Sequence, residues 1–321
     1  MMKAIIVREY GPPEVMAVEE TNLPEPVGTQ VLVKIHAAGV NPVDTYLRSG
    51  IHAHAPKLPY TPGKDGAGTI ISVGPNVTRF AIGDRVYTAG SISGTYAENS
   101  ICDETQLDRL PDNISFAEGA GIWTPYATSY RALFQKAECK AGETVLIHGA
   151  SGGVGLAAVQ WASSAGLRVI GTASSEEGRD LILRNGADAA FDHTDIDHFT
   201  DIWEATGGSG VDVIIEMLAN VNLERDFECL SPFGRIVVVG SRGSIEFTPR
   251  LTMTKEATIL GMSLFNAPPD AMDEIHKAIG YGLKNETVRP IVAKEYSLEE
   301  AAQSHRDIIE TKATGKLVIV P

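Results

Sequence analysis

The residues best suited to chemistry form one run, Val145-Leu146-Ile147-His148-Gly149-Ala150-Ser151-Gly152-Gly153-Val154-Gly155-Leu156-Ala157-Ala158-Val159-Gln160. An apolar, β-branched strand enters a glycine-rich turn, and a helix-forming stretch leaves it. Side chains at such a turn would hold off a pyrophosphate, whereas glycines let the backbone approach it. The helix N-terminus adds free N–H groups and the positive end of its dipole. A glycine pattern alone often marks only a tight turn; the flanking strand and helix supply the context that points to a dinucleotide.

The next strand selects the dinucleotide. NAD-binding sites place an Asp or Glu at the end of the second strand, on the ribose 2′-hydroxyl. Here Leu167-Arg168-Val169-Ile170-Gly171-Thr172-Ala173 runs into Ser174 and Ser175 with no acid at the strand end. Glu176 and Glu177 follow, but Ser174-Ser175-Glu176-Glu177 reads as a capping box that opens a helix. Without a carboxylate to repel a 2′-phosphate, NADP(H) is the expected cofactor. Arg179, His193 and Arg242 are candidate phosphate partners, though each taken alone reads first as a surface side chain.

These groups must be held by a larger frame. The 321 residues suggest about two domains at ~100–200 residues each. Up to about residue 116 the chain reads as strands and loops. Gln30–Ala37 alternates like a half-buried strand, and Gly11-Pro12-Pro13, Asn41-Pro42 and Gly74-Pro75-Asn76 break the pattern. From about Ala117 helices alternate with short apolar strands at Thr144–His148, Leu167–Gly171, Ala189–Phe191, Val211–Glu216 and Arg235–Gly240. Alternation of that kind means a parallel sheet covered on both faces. The expected class is α/β, a doubly wound Rossmann sheet beside a mostly β module. The helical stretch Asp270–Lys284, a helix near Leu298–Thr311 and the strand Leu317–Val320 form a tail that returns to the first module.

Composition narrows the partners. Charged residues are 21% of the chain and the formal net charge is −14, which disfavours a nucleic-acid backbone or anionic membrane as main partner. RNA stays open, because a local basic groove can coexist with a negative total. Cys102, Cys139 and Cys229 are scattered and three in number, so neither a disulfide framework nor a Cys-rich metal site is expected. Reduced thiols fit the cytoplasm. Met1–Val7 is short for a signal peptide, and no apolar run of the ~18 residues needed to cross a membrane occurs.

Five segments carry a family signature: Ala38–Tyr46 (Ala-Gly-Val-Asn-Pro-Val-Asp-Thr-Tyr), Leu58-Pro59-Tyr60-Thr61-Pro62-Gly63, Gly149–Gly155, Glu216–Leu223 (Glu-Met-Leu-Ala-Asn-Val-Asn-Leu) and Val239-Gly240-Ser241-Arg242-Gly243. In that order they resemble the medium-chain dehydrogenase/reductase superfamily, and within it the zeta-crystallin group of zinc-independent quinone oxidoreductases. The resemblance implies a GroES-like catalytic domain (residues 1–120 and 263–321), a Rossmann NADP-binding domain (121–262) and a cleft between them. It implies a homodimer or homotetramer, with an edge strand near Thr258–Phe265 pairing between subunits.

Zinc enzymes of the superfamily carry a Cys in the segment matching Gly39–Asp44 and a His-Glu pair after the glycine matching Gly63. This chain has Asn41-Pro42-Val43 and Lys64-Asp65 there, and it lacks the four close cysteines of the structural zinc lobe. Amide and ammonium do not replace thiolate and imidazole as zinc ligands. Oxidising an alcohol then lacks a Lewis acid, whereas giving electrons or hydride to an already electrophilic acceptor remains accessible. The resemblance accordingly implies NADPH-dependent reduction of a quinone. Reduction of an alkenal or enone double bond is the near alternative, and an NADPH-binding structural or RNA-binding protein with little turnover is the distant one.

Roles implied by the resemblance fall on particular positions. Tyr46 lies by the nicotinamide or orients a quinone oxygen, and Asn41 hydrogen-bonds an acceptor carbonyl; packing and turn roles compete for both. Thr128 sits beside the nicotinamide unless its hydroxyl bonds its own helix. Ser151, Gly152, Gly153 and Val154 hold the pyrophosphate. Ser174 and His193 lie near the adenosine phosphate, Asn222 and Ser241 near the ribose and nicotinamide, and Gly240 supplies backbone at a strand end. Met262, Ser263 and Leu264 contact the nicotinamide side. Asp44 reads as structural, and Trp123 stands where a smaller residue is expected. His52 and His54 read as solvated loop histidines without a third metal ligand.

Overall fold

The computed structural model describes residues 1–22, 25–312 and 314–321, and divides into two compact units. One unit comprises Met1–Thr124, Arg289–Thr311 and Gly315–Pro321; the other comprises Pro125–Val288 and Lys312–Thr314.

The first unit is built on a seven-stranded sheet. Its path runs Val292–Ser297, Lys316–Val320, Gln30–Val40, Asp65–Val73, Arg85–Ala89 and Leu107–Arg109, and Asn99–Asp103 also pairs with Gln30–Val40. Apolar residues at alternate positions of Gln30–Val40 turn inward, so Val31, Val33 and Ile35 join Ile70, Val86, Leu107 and Ile319 in one core. The tail strand lies antiparallel on Gln30–Val40, with Leu317 opposite Val40 and Ile319 opposite Ala38. That register carries Lys316 to the end of the strand that precedes Asn41. A separate antiparallel pair, Met2–Val7 with Met16–Thr21, completes the described strands of this unit.

The second unit is a six-stranded parallel sheet. Its spatial order is Ala189–Phe191, Arg168–Thr172, Thr144–Ile147, Val211–Glu216, Leu230–Val238 and Thr258–Gly261. Numbered along the chain this is 3-2-1-4-5-6, the doubly wound Rossmann order. Two elements differ from the sequence reading. The fifth strand starts at Leu230 rather than Arg235, because Leu230 already pairs with Val211; Ser231-Pro232-Phe233-Gly234 then bulges out of register, with Phe233 left-handed at a φ of 63°, before pairing resumes at Arg235. The chain also returns to the first unit at Arg289, not at 263. The helix Pro269–Lys284 stays with the Rossmann unit, where its Glu274 accepts from the Tyr130 hydroxyl at 2.9 Å. Gly282 lies so close to Trp161 that a Cβ there would stand 2.9 Å from the indole.

Candidate cofactor and acceptor site

Because all six strands are parallel, their C-terminal ends share one edge, where doubly wound sheets bind ligands. Apart from Thr128, which lies on a helix, the expected cofactor residues of this unit fall there strand by strand. The glycine turn follows the first strand, Ser174 the second, His193 the third, Asn222 the fourth, Gly240, Ser241 and Arg242 the fifth, and Met262, Ser263 and Leu264 the sixth.

The glycine turn has the shape a pyrophosphate needs. The helix after it, Gly153–Ser164, starts within the glycine motif, and its N-cap Gly152 offers no side chain to satisfy the first N–H groups. Gly149 turns at φ 55° with open space where a Cβ would stand. Gly155 packs against the turn itself; a Cβ there would meet the Gly149 carbonyl oxygen at 2.4 Å and the Ala150 Cα at 2.6 Å. Ser151 is buried beside it. The cradle therefore fits a dinucleotide.

At the second strand end no carboxylate is in place. Ser175, rather than Ser174, caps the next helix by accepting from the Gly178 N–H at 3.1 Å. Glu176 and Glu177 are exposed in its first turn, and the reciprocal half of the expected capping box is not formed, because the N3 residue is Gly178. Arg179 is committed in part to Asp192, at 2.8 Å. Lys312, which the sequence reading passed over, donates to the Ser174 carbonyl at 3.4 Å. It sits 138 residues away along the chain, so nothing in the local sequence signals it. Thr128 is buried on Trp123–Tyr130; Ser129 bonds back to the Pro125 carbonyl at 2.8 Å, and no such bond engages Thr128.

In the first unit the helix Pro42–Ser49 carries Asp44 and Tyr46, with Asn41 as its N-cap. Asp44 accepts from the Asn41 N–H at 2.9 Å, a structural role, and burial pushes its carboxyl up to about 7. Tyr46 is half-buried, and its hydroxyl has no protein partner among the described residues. Asn41 is buried, and both ends of its amide are taken. Its nitrogen donates to Asp65 at 2.9 Å, and its oxygen accepts from the Lys316 ammonium at 2.5 Å. Asn41 is therefore a brace inside the unit, which corrects the expectation that it reaches an acceptor carbonyl.

Asp65 is almost fully buried and receives four groups: the Asn41 amide, the Lys316 ammonium at 3.1 Å, the Thr124 N–H at 3.2 Å and the Thr124 hydroxyl at 2.6 Å. Lys64 turns away and donates to the Ser91 carbonyl at 3.1 Å. Where zinc relatives place their ligands, this chain has an amide, a carboxylate already saturated with donors, and a lysine. That donor set does not fit zinc. His52 and His54 contact each other, the His54 N–H donating to His52 Nδ1 at 3.1 Å.

The alcohol dehydrogenase GroES-like domain pattern matches residues 28–130, and the zinc-binding dehydrogenase pattern matches residues 153–279. A quinone oxidoreductase from Homo sapiens is 47% identical over the whole chain and 98% of its own length. The crystal structure of Escherichia coli quinone oxidoreductase complexed with NADPH superposes with a TM-score of 0.90 at 28% identity, covering 99% of this chain and 100% of that one. An NAD-dependent alcohol dehydrogenase superposes with a TM-score of 0.92, also at 28% identity and full coverage of both chains. The fold alone thus accommodates both chemistries, and the sequence likeness separates them. With near-half identity along its entire length, this chain belongs to the quinone oxidoreductase family of the medium-chain dehydrogenases/reductases.

Proposed function

We propose that the protein is an NADPH-dependent quinone reductase that works without zinc. The observation that carries this reading is the cofactor edge of the second unit. There a glycine cradle is followed by a strand that ends in serines, with Lys312 rather than a carboxylate beside Ser174. Ser151, Gly152, Gly153 and Val154 hold the pyrophosphate. Ser174, His193 and Lys312 surround the 2′-phosphate, with Arg242 as a further cation. Asn222, Gly240, Ser241, Met262, Ser263, Leu264 and Thr128 line the ribose and nicotinamide.

Bound NADPH supplies two electrons and one proton as hydride equivalents; the quinone takes these and a second proton and leaves as hydroquinone. The Tyr46 hydroxyl, without a partner among the described residues, orients the acceptor oxygen. Asn41 acts indirectly by holding Asp65 and Lys316. The working unit is a homodimer or homotetramer in the cytoplasm, in which the edge strand Thr258–Gly261 pairs with its copy.

The test follows NADPH oxidation with an ortho-quinone, a para-quinone and an alkenal, with NADH as control. Turnover with either quinone, faster with NADPH, is the expected result. Turnover with the alkenal alone moves the assignment to double-bond reduction, and NADPH binding without turnover moves it to a binding protein.

Lys312→Glu gives a second expected result. Placing a negative charge beside the 2′-phosphate should weaken NADPH binding about fivefold, from a repulsion of ~1 kcal/mol in water. NADH binding should stay within about twofold of the parent. Equal losses for both nucleotides in fluorescence titrations would remove Lys312 from the phosphate site.

A further inference from the structure

The glycine turn and the loop after the fourth strand rest on one buried polar cluster. His148, the residue before Gly149, is 3% exposed; Glu216, the last residue of the fourth strand, and Asp226 are both fully buried. His148 Nε2 lies 2.9 Å from Asp226 Oδ1 and 3.6 Å from Glu216 Oε2. Glu216 Oε1 accepts from the Leu218 N–H and from the Asn222 amide, the latter at 3.3 Å. The backbone carbonyl of Glu216 accepts from Val239 at 2.8 Å and Gly240 at 3.2 Å. On the other side, Thr172 Oγ1 lies 3.4 Å from His148 Nδ1 and 3.4 Å from His193 Nδ1, and accepts from the Gly149 N–H at 3.2 Å. The network thus runs from His193, at the adenosine phosphate end, to Asn222 and Gly240 at the nicotinamide end.

Two buried atoms in it have no donor: Glu216 Oε2 and Asp226 Oδ2. Among the described residues, no lysine or arginine bonds either side-chain carboxyl. A single proton satisfies both atoms. With it on Glu216 Oε2, Glu216 donates to Asp226, and Asp226 carries one negative charge between that hydroxyl and the His148 Nε2–H. His148 Nδ1 then accepts from the Thr172 hydroxyl, and each donor in the chain has an acceptor. We propose that a proton shared by Glu216 and Asp226 beneath His148 joins the two cofactor-facing loops into one unit, and that its loss loosens the grip on NADPH. His148, Glu216 and Asp226 are positioning residues in this role. The inference rests on the NADPH reading above.

The electrostatics agree. Burial pushes Glu216 up to about 7 and Asp226 up to about 8, and burial lowers His148. The surrounding titratable groups are His193 with Asp192 and Arg179 beyond it, His198 with Asp195 and Arg225 beyond it, and Cys229 near Asp226. His193 and His198 are lowered chiefly by burial, so they add little positive charge at alkaline pH. Losing the proton leaves two buried carboxylates side by side, an arrangement that must open to water.

The test compares wild type, Glu216→Gln and Glu216→Ala in NADPH binding, read by fluorescence titration at about pH 7 and about pH 9.5. Wild type should bind about tenfold more weakly at the higher pH, the effect of one linked proton. Glu216→Gln copies the protonated carboxyl: its oxygen accepts from Leu218 and Asn222, and its NH2 donates to Asp226. Its affinity should be the same at both pH values, and that of Glu216→Ala low at both. Should the alanine variant not fold, Asp226→Asn replaces it, with a flat pH profile expected. Hydrogen exchange on the unaltered protein, corrected for the intrinsic pH effect, should show residues 149–155 and 217–222 losing protection together at the higher pH. Parallel pH profiles for wild type and Glu216→Gln overturn the proposal. So does a stoichiometric divalent metal whose removal by chelator abolishes binding. If wild type fails to bind NADPH at either pH, the functional reading itself is what fails.

Discussion

Gly155→Val should weaken NADPH binding roughly 10–100-fold, from an overpacking cost of ~1–3 kcal/mol placed directly on the phosphate turn. A Cβ at this position would stand 2.4 Å from the Gly149 carbonyl oxygen and 2.6 Å from the Ala150 Cα. Both obstacles are backbone atoms of the turn, so no side chain can swing aside, and relief requires the turn and helix to part. The N–H groups that face the pyrophosphate would then lose their common aim. The sheet beneath is unaffected, so circular dichroism should be preserved and the thermal midpoint lowered only modestly. Calorimetric titration with NADPH is the measurement. Retained affinity would mean that the turn does not carry the pyrophosphate.

The largest effect on stability is expected from Lys316→Ala. Lys316 and Asp65 are 4% and 1% exposed and lie 3.1 Å apart. Removing one member of a buried pair costs about 3–5 kcal/mol, since the remaining charge is stranded. Asp65 keeps the two donors of Thr124 and the Asn41 amide, which places the loss near the lower end. The double variant Asp65→Asn/Lys316→Met removes both charges and should recover more than half of it. Urea midpoints of the parent, the single and the double variant make the comparison. A double variant no more stable than Lys316→Ala would show that the shape of the lysine side chain, not the charge pairing, holds this region.

The Rossmann half was legible because its signals are local. A strand, a glycine turn, a helix and a strand without a terminal acid occupy about thirty consecutive residues, and the structure sets Gly149–Gly155 and Ser174 on the expected edge. The absence of zinc ligands was equally plain at Asn41 and Lys64-Asp65. What replaces the metal was not. Lys316 reaches Asn41 and Asp65 only through the register of the tail strand on Gln30–Val40, a pairing no local pattern reveals, so the sequence alone left Asn41 free for the acceptor. Lys312 escaped for the same reason. The return point at Arg289 was misplaced because the helix Pro269–Lys284 shows an apolar face but not which surface covers it. The early start of the fifth strand was hidden because Leu230 pairs with Val211 ahead of the bulge Ser231-Pro232-Phe233-Gly234, a long-range pairing that no local pattern reveals.

The placement of the tail has a consequence for biosynthesis. The partner that neutralises Asp65 lies 251 residues later in the chain. While the ribosome is still making the Rossmann unit, the nascent first unit holds the Asp65 carboxylate without its cation and leaves the Ala38–Val40 end of Gln30–Val40 open on one edge. Its folding is thereby deferred until Lys316–Val320 emerges, although most of its residues are made first. Chains cut short before Lys316 should form the nucleotide-binding sheet without a settled first unit, and should be prone to pair through that open edge.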